Sequence, residues 1–142
     1  MAKHWWQVVR HGDHDHIIAV CVDPQRIGEV WPHVRDDVKR AIDRGWNDFG
    51  AVESHILNGL YLVWLAWDGQ KIRGVAVTGL VGDACEIIAA AGERKHFLHL
   101  IKDLENFARA EGRKRMRIIG RKGWKRLLPD YREASVVIEK QL

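Results

Sequence analysis

A change of hydrophobic period near Phe97 constrains this chain more than any other feature. Ala84–Ala91 is an apolar run of strand length ending at Gly92, whereas Leu100, Ile101, Leu104, Phe107 and Ala108 recur at helical spacing. This reads as a strand, a turn and a helix. Gly112 follows the last periodic residue and suits a helix C-cap, after which Arg115–Ile119 alternates basic and apolar residues as a second strand, closed by Gly120. Two strands joined through a packed helix are most often parallel neighbours with a right-handed crossover.

The flanking segments extend this unit into an α/β (α+β) domain. His16–Val22 is a strand by composition, and Asp23-Pro24 marks a helix start, with apolar residues Ile27, Val30, Trp31, Val34, Val38 and Ile42 along one stripe. Pro32 lacks an N–H and is expected to kink or split that helix, which Gly45 ends. Trp31 and His33 are candidates to line a pocket, Trp31 reading better as core. Asp48 can cap a short second helix, Phe49 to Leu57, stopped by Asn58-Gly59. Leu60–Trp67 and Lys71–Leu80 flank Asp68-Gly69, which calls for a tight hairpin, and Val81-Gly-Asp83 turns into the core strand. Leu128-Pro-Asp-Tyr131 leads into a last strand, Ser135–Glu139. The expected order is β-α-α-β-β-β-α-β-α-β: a mixed central sheet of about six strands with helices on both faces, one domain over residues 17–142.

Residues 1–16, MAKHWWQVVRHGDHDH, read as an N-terminal extension. Trp5-Trp6 with Val8-Val9 is either a short added strand folded onto its own domain or an arm that docks on an assembly partner or a second copy. The imidazoles and carboxylates of His11–His16 are metal-ligand types, but no second cluster completes a tetrahedron, so no metal is expected.

At 142 residues the chain is long enough to bury a core. Its longest apolar runs fall far short of a membrane span and its first residues lack a signal-peptide core, so no membrane partner and a cytoplasmic location, or the interior of something assembled there, are expected. Cys21 and Cys85 lie in apolar strands and read as small core residues. Charge is uneven. Between Gly112 and Pro129 stand eight basic residues and no acidic one: Arg113, Lys114, Arg115, Arg117, Arg121, Lys122, Lys125 and Arg126. Such a segment favours polyanions such as nucleic-acid or coenzyme phosphates; otherwise it is a solvated face.

The strand Cys85–Ala89, the helix pattern Leu100, Leu104, Phe107-Ala108 and Gly112, the strand Met116–Ile119 and the ending Leu128-Pro-Asp-Tyr131 together resemble the GNAT family of acyl-CoA-dependent N-acyltransferases. The stretch Gly120-Arg-Lys-Gly-Trp124 is also similar to one in small GNAT-like proteins of tailed phages, a likeness that implies the host cytoplasm or the virion as its location. The resemblance implies a GNAT-like sheet, acetyl-CoA or another acyl-CoA as donor, and cofactor contacts at Ile88, Ala90, Gly92, Arg94, Lys95 and Arg121. Glu86 becomes a candidate catalytic base. The family's Gln/Arg-x-x-Gly-x-Gly/Ala turn falls on Gly92-Glu-Arg-Lys-His-Phe97, where all three anchor positions differ, a degenerate pyrophosphate loop. Arg126 stands where many members place a tyrosine acid.

Three functions follow. The chain is an N-acyltransferase, a non-catalytic phage structural or accessory protein on the same fold, or a nucleic-acid-binding or nucleic-acid-modifying protein using the 113–126 segment.

Overall fold

Alternating and continuous apolar runs form one six-stranded sheet in the computed structural model, which describes residues 6–9, 17–44, 47–119, 123–134, 138 and 140–142. Its strands are β1 (Trp6–Val9), β2 (Ile18–Val22), β3 (Tyr61–Trp67), β4 (Ile72–Val81), β5 (Ala84–Gly92) and β6 (Arg115–Ile118), neighbours in that order. All pairs are antiparallel except β5 and β6, which run parallel as a helical crossover requires. The helices are α1 (Ile27–Asp43), α2 (Phe49–Leu57), α3 (Arg94–Ala110) and α4 (Gly123–Leu127).

Strand alternation sends two sets of side chains to opposite faces. Val20, Val63, Leu65, Val75 and Val77 meet Val30, Val34 and Val38 of α1 and Ile56 of α2. Ala19, Trp64, Ala76 and Ile87 meet Phe97, Leu100, Ile101 and Leu104 of α3, with Leu128 closing that layer. Each fully buried aliphatic or aromatic side chain contributes about 1.5–3 kcal/mol, so the two layers hold the sheet between them. The indole N–H of buried Trp64 donates to Thr78 Oγ1 at 3.0 Å, satisfying two polar groups inside the second layer.

The expected mixed sheet with helices on both faces is the architecture found, with several local differences. Trp6–Val9 forms an edge strand on β2, the added-strand alternative for the N-terminal segment. Pro32 does not split α1, which runs through it without a break. Its ring faces solvent while Val30, Trp31 and Val34 beside it are buried, and their burial outweighs the roughly 3 kcal/mol that an interior proline costs. The β3–β4 hairpin is not closed by Asp68-Gly69 alone: Trp67 pairs with Ile72, leaving a four-residue loop. Asp68 decides this, because its Oδ1 accepts from Gln70 N at 2.8 Å and Lys71 N at 2.7 Å while its Oδ2 accepts from Arg73 at 2.6 Å. Asp48 caps α2 as expected, accepting from Ala51 N at 2.9 Å. Gly45, residues 10–16 and most of the expected strand Ser135–Glu139 lie outside the described residues. No helix among the described residues is long and apolar enough to cross a membrane.

Candidate functional site

β5 carries the site because it is interrupted. Val77 pairs with Ala89 but Thr78 pairs with Ile87, so Ile88 is an extra residue, a β-bulge in mid-strand. A bulge breaks the ladder locally and re-aims the chain, and such features recur beside active sites. Ile88, expected from the family resemblance to contact a cofactor, is that bulged residue.

Beyond the bulge, β5 ends at Gly92 and α3 begins at Arg94. Gly92 has φ +117°, and a Cβ there would lie 2.7 Å from both Arg73 O and Gly74 Cα, so the strand end must be glycine to lie against β4. A cavity of about 200 Å³ opens at this junction, lined by Ala90, Gly92, Arg94, Phe97, Trp124 and Leu127. The first N–H groups of a helix have no intrahelical partner and attract anions, and the exposed Arg94 guanidinium adds a charge. These donors suit a pyrophosphate. The opposite wall is filled: Phe97 is 6% exposed and packs on Trp124, ring centroids 4.9 Å apart. Ala90, Gly92 and Arg94 are thus brought together, whereas Lys95 is not among the lining residues and its ammonium lies 3.9 Å from the Glu93 carboxylate. Arg121 and Lys122 fall outside the described residues.

On the other side of the bulge a lateral row crosses four strands: Tyr61 pairs with Gly79, Gly79 with Glu86, and Glu86 with Arg117. The row lies on the α1–α2 face, since Cys85 and Ile87 flank Glu86 on the opposite one and Tyr61 packs against the α1–α2 layer. Glu86 Oε2 accepts from Arg117 Nη1 at 2.9 Å. The Tyr61 ring lies over Gly79 and meets the His55 ring of α2, centroids 4.9 Å apart. Tyr61, His55 and Gly79 were not among the sequence-derived candidates. A glycine inside a strand pattern signals close approach, and Gly79, one of two glycines in β4, was that signal.

The basic segment is divided by the sheet. Arg115 and Arg117 share the face of Glu86, where Arg115 Nε lies 3.4 Å from Asp83 Oδ2, while Arg113 donates to Gly82 O at 2.8 Å. Lys125 and Arg126 are exposed on α4, whose Trp124 and Leu127 pack against the opposite layer. Sheet geometry therefore does not gather Arg115, Arg117 and Lys125 on one face.

Tyr131 packs against the α3 layer and donates to Glu105 at 2.8 Å; burial and that carboxylate push its phenol well above the ordinary range. Burial likewise pushes the Cys85 thiol up to about 11 and, with Asp23 beside it, Cys21 up to about 12, so neither is poised as a thiolate. Trp31 is core, its indole donating to Glu53 at 2.8 Å. His33 instead lines a second cavity of about 450 Å³ with Val30, Trp67, Lys71 and Ile72. Among the described residues no group of three or more His, Cys, Asp or Glu could hold a metal.

No protein-family model matches this sequence, and no curated protein matches it. Solved structures do share its fold. An aminoglycoside acetyltransferase from an uncultured soil metagenomic sample superposes with a TM-score of 0.64 at 11% identity, covering 89% of this chain and 98% of that one. A predicted acetyltransferase from Clostridium acetobutylicum, solved with acetyl-CoA, gives 0.62 at 13% identity over 88% of this chain and 96% of its own. A GNAT family acetyltransferase from Staphylococcus aureus gives 0.59 at 14% identity over 89% and 99%. At such identities the likeness establishes the fold, and the fold is that of GNAT acetyltransferases.

Proposed function

We propose that this chain is an acyl-CoA-dependent N-acyltransferase with a rearranged pyrophosphate loop. The observation carrying this reading is the bulge at Ile88, set between an anion-suited helix terminus on one side and a carboxylate on the other. The residues present suit the donor at its anionic end: Arg94 and the first N–H groups of α3 would hold the phosphates, with Ala90 and Gly92 alongside. Bound there, an acyl thioester supplies an activated carbonyl.

The chain's own work is to hold the amine and move its protons. Glu86 takes a proton from the incoming ammonium, directly or through one water, leaving a nucleophilic lone pair. In the net exchange an N–C bond forms and the thioester C–S bond breaks. Of the two protons the ammonium gives up, one leaves with the sulfur and one passes through Glu86 to solvent.

Calorimetric titration with acetyl-CoA and with coenzyme A tests this reading, alongside Phe97→Ala. Micromolar binding by the unaltered chain supports it. Binding gained only on truncating Phe97 favours a second reading, carried by the packing of Phe97 on Trp124: a non-catalytic accessory protein of the tailed-phage kind on the same fold. A nucleic-acid role for the 113–126 segment would instead show as duplex binding whose affinity falls steeply with salt.

A further inference from the structure

The Glu86–Arg117 pair is built in a way that a purely structural pair need not be. One hydrogen bond joins it, from Arg117 Nη1 to Glu86 Oε2, although guanidinium and carboxylate can meet through two. Among the described residues Arg117 is the one hydrogen-bond donor to Glu86 and it takes Oε2, so none of them occupies Oε1. The Glu86 side chain is 13% exposed and that of Arg117 39%, so the carboxylate is largely shielded while the guanidinium is open to water. Shielding at Glu86 strengthens recognition of a cation there and makes an unmatched group beside it costly.

Gly79, beside Glu86 in the row, has no side chain, and the Tyr61 ring occupies the space a Cβ would take, backed by His55. On this face Arg115 pairs with Asp83 and Arg117 with Glu86, so among the described residues beside the pair no carboxylate is left over to draw in a polycation. A ligand matching this site presents an ammonium to Glu86 and an anion to Arg117, one short bridge apart.

We propose that the row Tyr61, Gly79, Glu86 and Arg117 binds a zwitterion with an ammonium and a carboxylate on neighbouring positions, the amino-acid class, as the acceptor amine. This rests on the acyltransferase reading for its chemistry but not for its binding. The ammonium replaces solvent at Glu86 Oε1, and the carboxylate takes guanidinium N–H groups that Glu86 does not use. A plain amine would leave Arg117 unmatched, and an aminoglycoside would bring several further positive charges to a face whose carboxylates are already paired.

The test uses the full chain without donor: calorimetric titration with individual L-amino acids, each followed by its amide and its decarboxylated amine, and with an aminoglycoside as polycationic control. At least one amino acid is expected to bind, with affinity falling about tenfold or more in the amide and the decarboxylated amine. Arg117→Gln should erase the preference for the carboxylate, and Arg117→Lys should keep part of it. Equal binding of amino acid and amide, tighter binding of the aminoglycoside, or no binding of any amino acid overturns the proposal. Acyl transfer in the presence of acetyl-CoA is then measured on the same panel. Amino-acid binding without acetyl-CoA binding would leave the amino-acid site standing and remove the acyltransferase reading and the acceptor role with it, while acyl transfer indifferent to the carboxylate would do the reverse.

Discussion

The ring of Tyr61 occupies the place of a side chain that Gly79 does not have. A Cβ on Gly79 would stand 2.6 Å from Tyr61 Cε1 and 2.7 Å from Cδ1, closer than two carbons can approach. Gly79→Ala should therefore cost about 1–3 kcal/mol through displacement of the ring. Combining it with Tyr61→Leu should restore most of the loss, a non-additivity that urea denaturation of the four variants measures.

Gly92 is a stricter case. Its φ of +117° is strained for any residue with a Cβ, and that Cβ would meet backbone, 2.7 Å from Arg73 O and Gly74 Cα, which no side-chain rotation relieves. Gly92→Ala should destabilise by about 1–3 kcal/mol or more and disturb the β5–α3 junction with it. Thermal melts give the first effect; chemical shifts of the α3 N-terminal amides report the second.

Phe97→Ala removes a buried ring from between α3 and Trp124. A loss of about 3–5 kcal/mol is expected, together with a larger cavity at Arg94. Denaturation curves check the stability, and an increase in affinity for coenzyme A despite that loss would mark Phe97 as the residue that narrows the site.

Trp64 and Thr78 should behave as a buried couple. Thr78→Val leaves the indole N–H without its acceptor and should cost about 1–3 kcal/mol. Adding Trp64→Phe removes the stranded donor, so the extra cost should be smaller than the same change made alone, as a double-mutant cycle by denaturation would read.

Asp103 should give stability a pH dependence of unusual sign. Burial pushes its carboxyl up to about 6, so between roughly pH 4 and 6 the folded chain holds a proton that the unfolded chain releases. Its contribution is fully present below the ordinary carboxylate range and is lost as pH rises to about 6. Asp103→Asn should remove this slope and be the more stable chain at pH 7 by on the order of 1–3 kcal/mol. Asp68 has the opposite sign: backbone N–H groups and Arg73 hold its carboxyl well below the usual range, so its contribution is lost only as the solution becomes strongly acidic. Denaturation of Asp103→Asn and Asp68→Asn against pH separates the two.

What could be read directly from the chain was whatever local pattern decides. The switch of period at Phe97, the Asp48 cap and the apolar stripes of α1 and α3 each act over a few residues, and the elements they predict are present. Where two local signals competed, only packing settled the result. Pro32 opposes a helix that the burial of Val30, Trp31 and Val34 favours, and the helix continues; Asp68-Gly69 permits a two-residue turn, but the carboxylate binds two amides and Arg73 and makes a longer loop.

The site divides in the same way. Gly92, Arg94 and Glu86 stand on or beside one strand, close enough in sequence for a motif to gather them, and the amino-acid sequence by itself determined that strand–turn–helix unit and hence the fold. It did not determine the row of Tyr61, Gly79, Glu86 and Arg117, whose members lie on four strands and meet only through register. Nor did it determine the bulge at Ile88, which exists only relative to β4, or the separation of Arg115 and Arg117 from Lys125 by the sheet. A strand's local pattern fixes which side chains share a face, whereas the neighbours they face are set by pairing and packing between distant segments, and that only the tertiary structure decides.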